Sequence, residues 1–433
     1  MPVKSKSTRS ASKASTSYNS EDVPSSMVSL RGLYLIVRIP FKLLAFLVKY
    51  PFAGGINEKF RTNLIKSLKL YVCRLALAVP VRDSAVLSIM SSHFLLNKLL
   101  KVLYPQLTNL HSYGEKFDDH SYYIVDSPFR DPAIHPVIIY LHGGGYYFGT
   151  VPQQAESLLC IYHLLPVQKQ RKLTVLHLDY KLASHGYPMT NQLHDLLQTY
   201  DKLVKEGNKN IILLGDSAGG HLSIVFMQYL RHHPNLHLPY PKHVILVSPW
   251  CKVVPDDHQN LPGGSYHDNH DRDMIQFPLF RELDRKDDLL GDADFGHIMV
   301  SPGNNSYDHS DWEKIPTLTE EGFGACVILG EHETFRDDIL EWCKWALKCP
   351  FYDMNHYDSH GEFNPKRHEY INDEKAKIRV YMEPWGLHDS TFFFENHLIS
   401  TLKSIHHHKA IDKIDNHEFF GITRIVKYLI DVI

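Results

Sequence analysis

The chain has 433 residues, 43% hydrophobic and 12% aromatic, which is enough apolar material for a full buried core. Its formal net charge of −3 gives no basic surface, so we expect no nucleic-acid partner. The six cysteines show neither CxxC nor Cys/His spacing, and the sequence therefore predicts no metal site.

Residues 1–26 are rich in serine and basic side chains and hold almost nothing apolar. Such a segment cannot offset the entropy lost on ordering, so we predict a disordered tail. It is not a cleavable signal peptide, because the apolar stretch starts only near Leu33 and is interrupted by Arg38, Pro40 and Lys42.

An apolar segment follows between Leu30 and Phe52. Its cations form one stripe along a helix, at Arg31, Arg38, Lys42 and Lys49. The insertion free energies of the apolar and basic residues nearly cancel, so spanning a bilayer is marginal while lying at its surface is favourable. We predict a membrane-associating or anchor segment over residues 27–56, with residues 30–52 as the contact. The alternative is a lid helix that packs on the catalytic domain.

In the middle of the chain, short apolar runs typical of buried strands alternate with segments of helical length. The strand-like runs are Tyr122 to Val125, Val137 to Leu141, Thr174 to Leu178, Ile211 to Leu214, Val244 to Val247, Ala325 to Leu329 and Ile378 to Met382. The helical segments include Asn191 to Lys205 and Gly219 to Arg231. This alternation predicts an α/β fold, a mostly parallel sheet with helices on both faces.

Residues 250–319 interrupt this alternation, because they are polar and rich in proline, glycine, aspartate and histidine. A connection of this length indicates an inserted lid element. We predict one catalytic domain over residues 57–433, with lid elements at about 57–115 and 250–319.

Gly215-Asp216-Ser217-Ala218-Gly219 lies directly after one strand-like run and directly before a helical segment. This context is the one that a G-x-S-x-G nucleophile elbow requires, and the glycines leave room for a tight turn around the serine. The helix that opens at the serine also points N–H groups at a developing oxyanion. We predict that Ser217 is a catalytic nucleophile. The alternative is an ordinary strand-to-helix turn.

His142-Gly143-Gly144-Gly145 follows the strand-like run Val137 to Leu141. A glycine loop of this kind supplies the other half of an oxyanion hole, so we expect the amides of Gly144, Gly145 and Ala218 to bind the anion. The competing interpretation is a phosphate loop, but no GK[ST] or GxGxxG pattern accompanies the glycines.

These two motifs, with Asp179-Tyr180-Lys181-Leu182-Ala183, resemble the hormone-sensitive-lipase-like branch of the α/β-hydrolases. The resemblance covers roughly residues 121–390 and implies the α/β-hydrolase fold and ester hydrolysis. The layout of the N-terminus is similar to that of arylacetamide deacetylase and the fungal steryl acetyl hydrolases. One departure is Ser184, where the family usually has proline.

A serine nucleophile of this fold needs an acid and then a histidine later in the chain. In the segment after the strand-like run Ala325 to Leu329, the family places the acid three residues before an arginine, which implies Glu333. Asp337 and Asp338 are local rivals, with helix N-terminal charges as their alternative role.

His388 follows the last strand-like run, as the base does in the family's terminal loop. His397 lies in a predicted helix and is a weaker candidate. We expect His142 to brace the glycine loop and Asp216 to support the elbow. Tyr146, Tyr147 and Phe148 are expected to line the pocket, with a place in the core as the alternative.

The sequence therefore predicts a serine carboxylesterase that needs no cofactor and acts on a lipophilic ester. The resemblance implies acetyl esters of sterols or similar alcohols and a place in the endoplasmic reticulum membrane, with the catalytic domain in the lumen. Asn304 is a candidate glycosylation site in the sequon Asn304-Asn305-Ser306. The alternatives are a lipase or acyltransferase for longer acyl chains and a non-catalytic receptor on the same fold.

Overall fold

The computed structural model describes residues 28–88, 90–280, 283–354, 358–404 and 411–433. The tail predicted over residues 1–26 lies outside this part of the chain. All six cysteines lie within it and are unpaired thiols.

The strands that the structure describes form one sheet. They are β1 Ser121–Val125, β2 Val137–Leu141, β3 Thr174–Leu178, β4 Ile211–Asp216, β5 His243–Val247, β6 Gly324–Gly330, β7 Glu369–Asn372 and β8 Lys377–Glu383. Their order across the sheet is β1-β3-β2-β4-β5-β6-β8-β7. The six inner strands run parallel, and β1 and β7 pair antiparallel at the two edges. The mostly parallel sheet predicted from the sequence is confirmed.

Helices cover both faces of this sheet. The longer ones are α1 Leu30–Ala53, α2 Leu64–Leu77, α3 Pro152–Leu164, α4 Asn191–Lys205, α5 Ala218–His232, α6 Leu283–Leu290, α7 Arg336–Leu347, α8 Ser390–Phe394, α9 Leu398–Ser404 and α10 Phe420–Val432. A further helical stretch spans residues 92–103. Short helical turns lie at Val167–Gln170, Ser265–Asp268, Pro316–Thr319 and Pro365–His368.

Successive side chains of each strand point to opposite faces of the sheet, so the core is divided between these two faces. Ile139 and Leu213 pack with residues of α4, α5 and α7 on one face. Ile138 and Ile212 pack with residues of α3 and α10 on the other. Because both faces are covered, the inner strands are apolar at almost every position.

A cap lies over the carboxyl edge of the sheet; we use this name for α1, α2 and residues 250–319. The side chain of Ser29 accepts from the N–H of Gly32 and so begins α1, while Asp83 accepts from the backbone N–H of Ser29 at 2.8 Å. Further along α1, the ring of Phe46 stacks on that of Tyr71 in α2 at 4.9 Å between centroids. The inner face of α1 is thus fixed on the rest of the cap.

The opposite face of α1 is apolar and exposed. Its large hydrophobic side chains, each 41–91% exposed, are Leu30, Leu33, Tyr34, Val37, Phe41, Leu44, Leu47, Val48 and Phe52. Among the residues that the structure describes, no helix has both the length and the hydropathy to cross a membrane.

Candidate active site

The predicted catalytic side chains meet at the carboxyl ends of neighbouring parallel strands. Ser217 follows β4, Glu333 lies three residues after β6, and His388 lies five residues after β8. The loops that follow parallel strands all lie at the carboxyl edge of the sheet. In an open α/β sheet these loops form the crevice in which ligands usually bind. The topology therefore gathers residues that are 171 positions apart in the chain.

Ser217 lies on a strained turn between β4 and α5. Its backbone angles are φ 49° and ψ −112°, a conformation that L-residues seldom adopt. The turn is tight because Gly219 lies against the end of β2: a Cβ on Gly219 would stand 1.8 Å from the carbonyl oxygen of Leu141. Position 219 therefore requires glycine, because the backbone of β2 comes too close for a side chain.

The three side chains form one hydrogen-bonded chain. Nε2 of His388 lies 2.9 Å from Oγ of Ser217, and Nδ1 of His388 lies 2.7 Å from Oε1 of Glu333. All three residues are buried. The second carboxylate oxygen of Glu333 accepts from the N–H of Gly330 and from the hydroxyl of Ser248, both at 2.9 Å. These contacts hold Glu333 in one orientation toward the imidazole.

The surroundings of His388 favour its charged form. Burial by itself would lower the pKa of His388, but the hydrogen bond and negative charge of Glu333, with Asp273 and Asp216, outweigh burial and raise it above 6.5. A histidine with these neighbours takes a proton from serine more readily than a free imidazole does.

The glycine loop and the start of α5 present N–H groups near the serine. In the described part of the chain, the N–H groups of Gly144, Gly145 and Ala218 have no acceptor. Gly144 and Gly145 have φ 115° and 60°, and both line the same cavity as Ser217. Unpaired donors beside a nucleophile are the arrangement that an oxyanion hole needs.

His142 and Asp216 lie behind these groups. The ring of His142 stacks on Tyr180 at 4.1 Å, and its Nδ1 donates to the carbonyl of Gly143 at 2.8 Å. Burial and the neighbouring His177 lower the pKa of His142 to about 4, so it is neutral. Asp216 accepts from the hydroxyl of Tyr140 at 2.7 Å and from Gln154 at 2.8 Å.

A cavity of about 660 Å³ opens above the serine. Its polar floor is formed by Ser217, His388 and Asp389. The cap supplies one wall, with Ile39 of α1, one face of α2, and the apolar side chains Met274, Ile275, Leu279, Phe280 and Leu289 of residues 250–319. The aromatic side chains on the other walls are Tyr147, Phe148, Phe335 and Phe393, and the cap adds the ring of Trp250. Such a lining suits an apolar ligand that carries one polar reacting group.

Several sequence candidates lie elsewhere. Asp337 accepts from the N–H of Ser265, and Asp338 accepts from Tyr266 and Gln259, so neither acid contacts His388. His397 pairs with Glu418 at 2.8 Å.

Tyr147 and Phe148 line the cavity as expected, but the expectation for Tyr146 is wrong. The backbone of Tyr146 has φ 66°, and its hydroxyl lies 2.7 Å from Nδ1 of His221, away from the cavity.

The contacts of Asn304 disfavour the predicted glycan. Its amide nitrogen donates to the carbonyl of Val254 at 2.6 Å, and its oxygen accepts from the N–H of the same residue and from the hydroxyl of Ser301. A sugar on this nitrogen would have to displace or crowd a part-buried contact.

Glu331, His332 and Asp358 are the described side chains of metal-ligand type that come together, with ligand atoms within 4.8 Å of one another. The carboxylate of Glu331 is already occupied by donors from Ser359, Trp385 and Arg367. Arg272 also lies within 3.6 Å of Asp358, so these residues form an ion-pair network and not a cation site.

Ser248 supports the site but was not predicted from the sequence. Its hydroxyl donates to Glu333, and it accepts from the N–H of Asp389 at 2.9 Å, so it joins the loops of the acid and the base. Its position at the carboxyl end of β5, between the strands that carry Ser217 and Glu333, is a signal that could have identified it.

Comparison with known proteins gives consistent results. A family model described as steryl acetyl hydrolase matches residues 106–360, more than half of the chain. A Schizosaccharomyces pombe protein named "Putative steryl acetyl hydrolase mug81" is 30% identical over 329 residues, 73% of this chain and 84% of the relative. "Steryl acetyl hydrolase 1" of Saccharomyces cerevisiae is 34% identical over 131 residues, 29% of this chain and 28% of that protein.

Among solved structures, a thermostable esterase from Pseudomonas putida ECU1011 aligns with a TM-score of 0.52 at 12% identity. The alignment covers 82% of this chain and 91% of the esterase. At this identity the likeness concerns the α/β-hydrolase fold.

Proposed function

Because this chain belongs to the steryl acetyl hydrolase family, we propose that it deacetylates esters of lipophilic alcohols such as sterols, with Ser217, His388 and Glu333 as its catalytic triad. The chain is a carboxylic ester hydrolase, and its family supports acetyl esters as the substrates. The observation that carries the proposal is the hydrogen-bonded chain from Glu333 to Ser217 on the floor of an apolar cavity.

The geometry supports a two-step acyl transfer through the enzyme. Oγ of Ser217 attacks the ester carbonyl carbon while Nε2 of His388 takes the serine proton. The N–H groups of Gly144, Gly145 and Ala218 bind the resulting oxyanion. The C–O bond to the alcohol then breaks, and the imidazolium of His388 gives its proton to the leaving alkoxide.

An acetylated Ser217 remains after the alcohol has left. His388 takes a proton from a water molecule that attacks the acetyl carbon. When the second oxyanion collapses, the bond from the acetyl carbon to Oγ breaks, the imidazolium of His388 returns its proton to Oγ, and acetic acid leaves and ionises to acetate. Glu333 keeps the imidazole in the tautomer that both steps need.

The size of the cavity supports the proposal that the alcohol part of the substrate is bulky and apolar. Its volume of about 660 Å³ lies within the range of about 300–1,000 Å³ that sites for small organic ligands occupy. The oxyanion hole accepts any ester carbonyl, so the selection of the alcohol must come from the cap and the aromatic walls.

The proposal is tested by the acids and alcohols that the full chain releases. We expect more acetate from a steryl acetate than long-chain acid from the matching steryl ester or from a triacylglycerol. Preference for a long-chain substrate would identify a lipase instead. Transfer of the acetyl group to an added alcohol in place of water would identify an acyltransferase, and binding without turnover a receptor.

We also propose that the outer face of α1 lies on a lipid surface. Its nine exposed apolar side chains form a continuous surface, and the cations at its margins suit anionic headgroups. The cavity opens to the surface at α2 of the cap, because Ile65 lines it and is 79% exposed. Residence in the endoplasmic reticulum stays a prediction from the resemblance.

A further inference from the structure

Asp273 belongs to the cap and contacts two of the loops that carry the triad. It lies in residues 250–319 and is fully buried. Its Oδ1 accepts from the N–H of His388 at 2.9 Å, and its Oδ2 accepts from the N–H of Thr334, the residue after Glu333, at 2.7 Å. One carboxylate therefore joins the loop of the base to the loop of the acid.

The same carboxylate is fixed from its own side. Its Oδ1 also accepts from the N–H of Met274 at 2.8 Å. Arg74 of α2 donates from Nε to the carbonyl of Asp273 at 3.0 Å, and its Nη2 donates to the carbonyl of His270 at 3.3 Å. A chain of hydrogen bonds thus runs from α2 through Asp273 to the backbone of His388.

Neighbouring contacts follow the same pattern. Asn269 donates to the carbonyl of Glu333 at 2.9 Å, and Ser265 donates to the carbonyl of Thr334 at 2.8 Å. Residues of the cap therefore hold the backbone of the acid loop at Glu333 and Thr334, while the N–H groups of Glu331 and His332 donate to the carbonyls of Glu383 and Gly386 in the loop of the base. A carboxylate is the suitable group at the centre because it alone can accept from all three N–H donors at once.

We propose that Asp273 is a positioning residue for the triad, a cap carboxylate that sets the distance between the Glu333 loop and the His388 loop. This inference rests on the proposed function, since it assigns Asp273 a role in the reaction of Ser217. The cap then has two tasks: it encloses the cavity, and it completes the catalytic geometry.

The charge of Asp273 gives the role a measurable signature. The acidic groups that act on His388 are Glu333 at its Nδ1, Asp273 at its backbone N–H, and Asp216 beside the nucleophile. Burial and the charge of Asp216 raise the pKa of Asp389, the next residue, well above its usual value and so disfavour its charged form. The cation nearest to Asp273 on the neighbouring α2 is Arg74. Removal of the charge of Asp273 lowers the pKa of His388, and the acid limb of kcat/KM then moves to lower pH.

The experiment compares Asp273→Asn with Asp338→Asn in the full chain. The asparagine side chain has one acceptor oxygen and an NH2 group, so one of the two loops loses its acceptor. We expect kcat to fall about 10- to 100-fold with little change in KM, and the acid limb to shift to lower pH. Asp338 is also buried and accepts two hydrogen bonds but contacts none of the triad residues. Asp338→Asn should therefore keep the wild-type kcat and the wild-type acid limb of the pH profile of kcat/KM.

Two controls keep the result decisive. Thermal unfolding of each variant separates loss of the fold from loss of positioning. If Asp273→Asn does not fold, Arg74→Met takes its place, because it removes the donors that fix Asp273 without touching the triad; it should lower kcat in the same direction. The inference would be overturned if the folded Asp273→Asn variant kept the wild-type kcat and the wild-type acid limb of the pH profile of kcat/KM. The same result in Arg74→Met, where it serves as the substitute, would also overturn it. Ser217→Ala in the same assay tests the proposed function separately, since its failure to abolish turnover would reject the triad itself.

Discussion

The carboxyl edge of the sheet and the outer face of α1 are opposite kinds of surface. At the sheet edge, Ser217, Glu333 and His388 are buried and hydrogen-bonded to one another. On α1, large apolar side chains such as Phe41 and Leu44 are 69% and 61% exposed. The polar groups of the first region are hydrogen-bonded to one another, whereas the second leaves apolar area that a partner can cover. Catalysis and location are therefore separable by mutation.

The largest effect should come from the nucleophile and the base. We expect Ser217→Ala or His388→Ala to lower kcat by about 10⁴- to 10⁶-fold, because both residues act in each proton transfer. Ester hydrolysis assays with purified variants measure this. Binding of Ser217→Ala to lipid vesicles should stay at the wild-type level, and near-wild-type turnover in that variant would refute the mechanism.

The acid should rank next. Glu333→Gln keeps the size of the side chain but removes the charge at Nδ1 of His388, so we expect kcat to fall about 10³- to 10⁴-fold. Asp337→Asn is the matched control, since Asp337 contacts Ser265 and Arg336 instead. A larger loss in Asp337→Asn than in Glu333→Gln would show that the acid is misassigned.

The outer face of α1, which we propose lies on a lipid surface, should give a smaller effect on a different measurement. Replacing Val37, Phe41 and Leu44 by serine removes three exposed apolar side chains from one face of α1. We expect partitioning onto vesicles of phosphatidylcholine and phosphatidylserine to fall about 100-fold, with hydrolysis of a water-soluble acetate unchanged. Phe129→Ser with Ile134→Ser removes equally exposed side chains at the opposite edge of the sheet. Equal partitioning of the α1 variant and this control would return α1 to the role of a lid helix.

The smallest expected effect concerns the pH at which kcat/KM falls on the acid side. The active form has a neutral His388, whose pKa is raised above 6.5 chiefly because Glu333 outweighs burial. Activity is therefore retained above this pKa and lost as the pH falls through it, so the acid limb of kcat/KM should have its midpoint above pH 6.5. The α1 variant should share that midpoint. A wild-type midpoint below 6.5 would contradict the electrostatic description of the site.

The sequence predicted the parts of this molecule that depend on local pattern. The runs Val137 to Leu141 and Thr174 to Leu178 coincide with β2 and β3 because parallel strands buried on both faces are apolar at almost every position. The strand β7 was missed, since a half-exposed edge strand with the sequence Glu369–Asn372 has no such signal. The elbow serine and the glycine loop were placed where the structure has them, because their chemistry requires fixed neighbours in the chain.

Other features depend on packing between distant segments. The contact of Asp273 with His388 joins residues 115 positions apart, and no local spacing indicates it. Tyr146 turned away from the cavity because its positive φ redirects the side chain toward His221. Membrane contact of α1 stays a prediction, since one face of the helix lines the cavity at Ile39 while the other is exposed.

Covalent labelling tests the central claim most directly. A serine-directed fluorophosphonate should inactivate the full chain with one label per molecule, and peptide mass spectrometry should place that label on Ser217. A steryl acetate should slow the labelling, because it occupies the same cavity. The contradictory result would be a fully inactivated enzyme whose label lies on another residue, or a Ser217→Ala variant that still releases acetate at the wild-type rate.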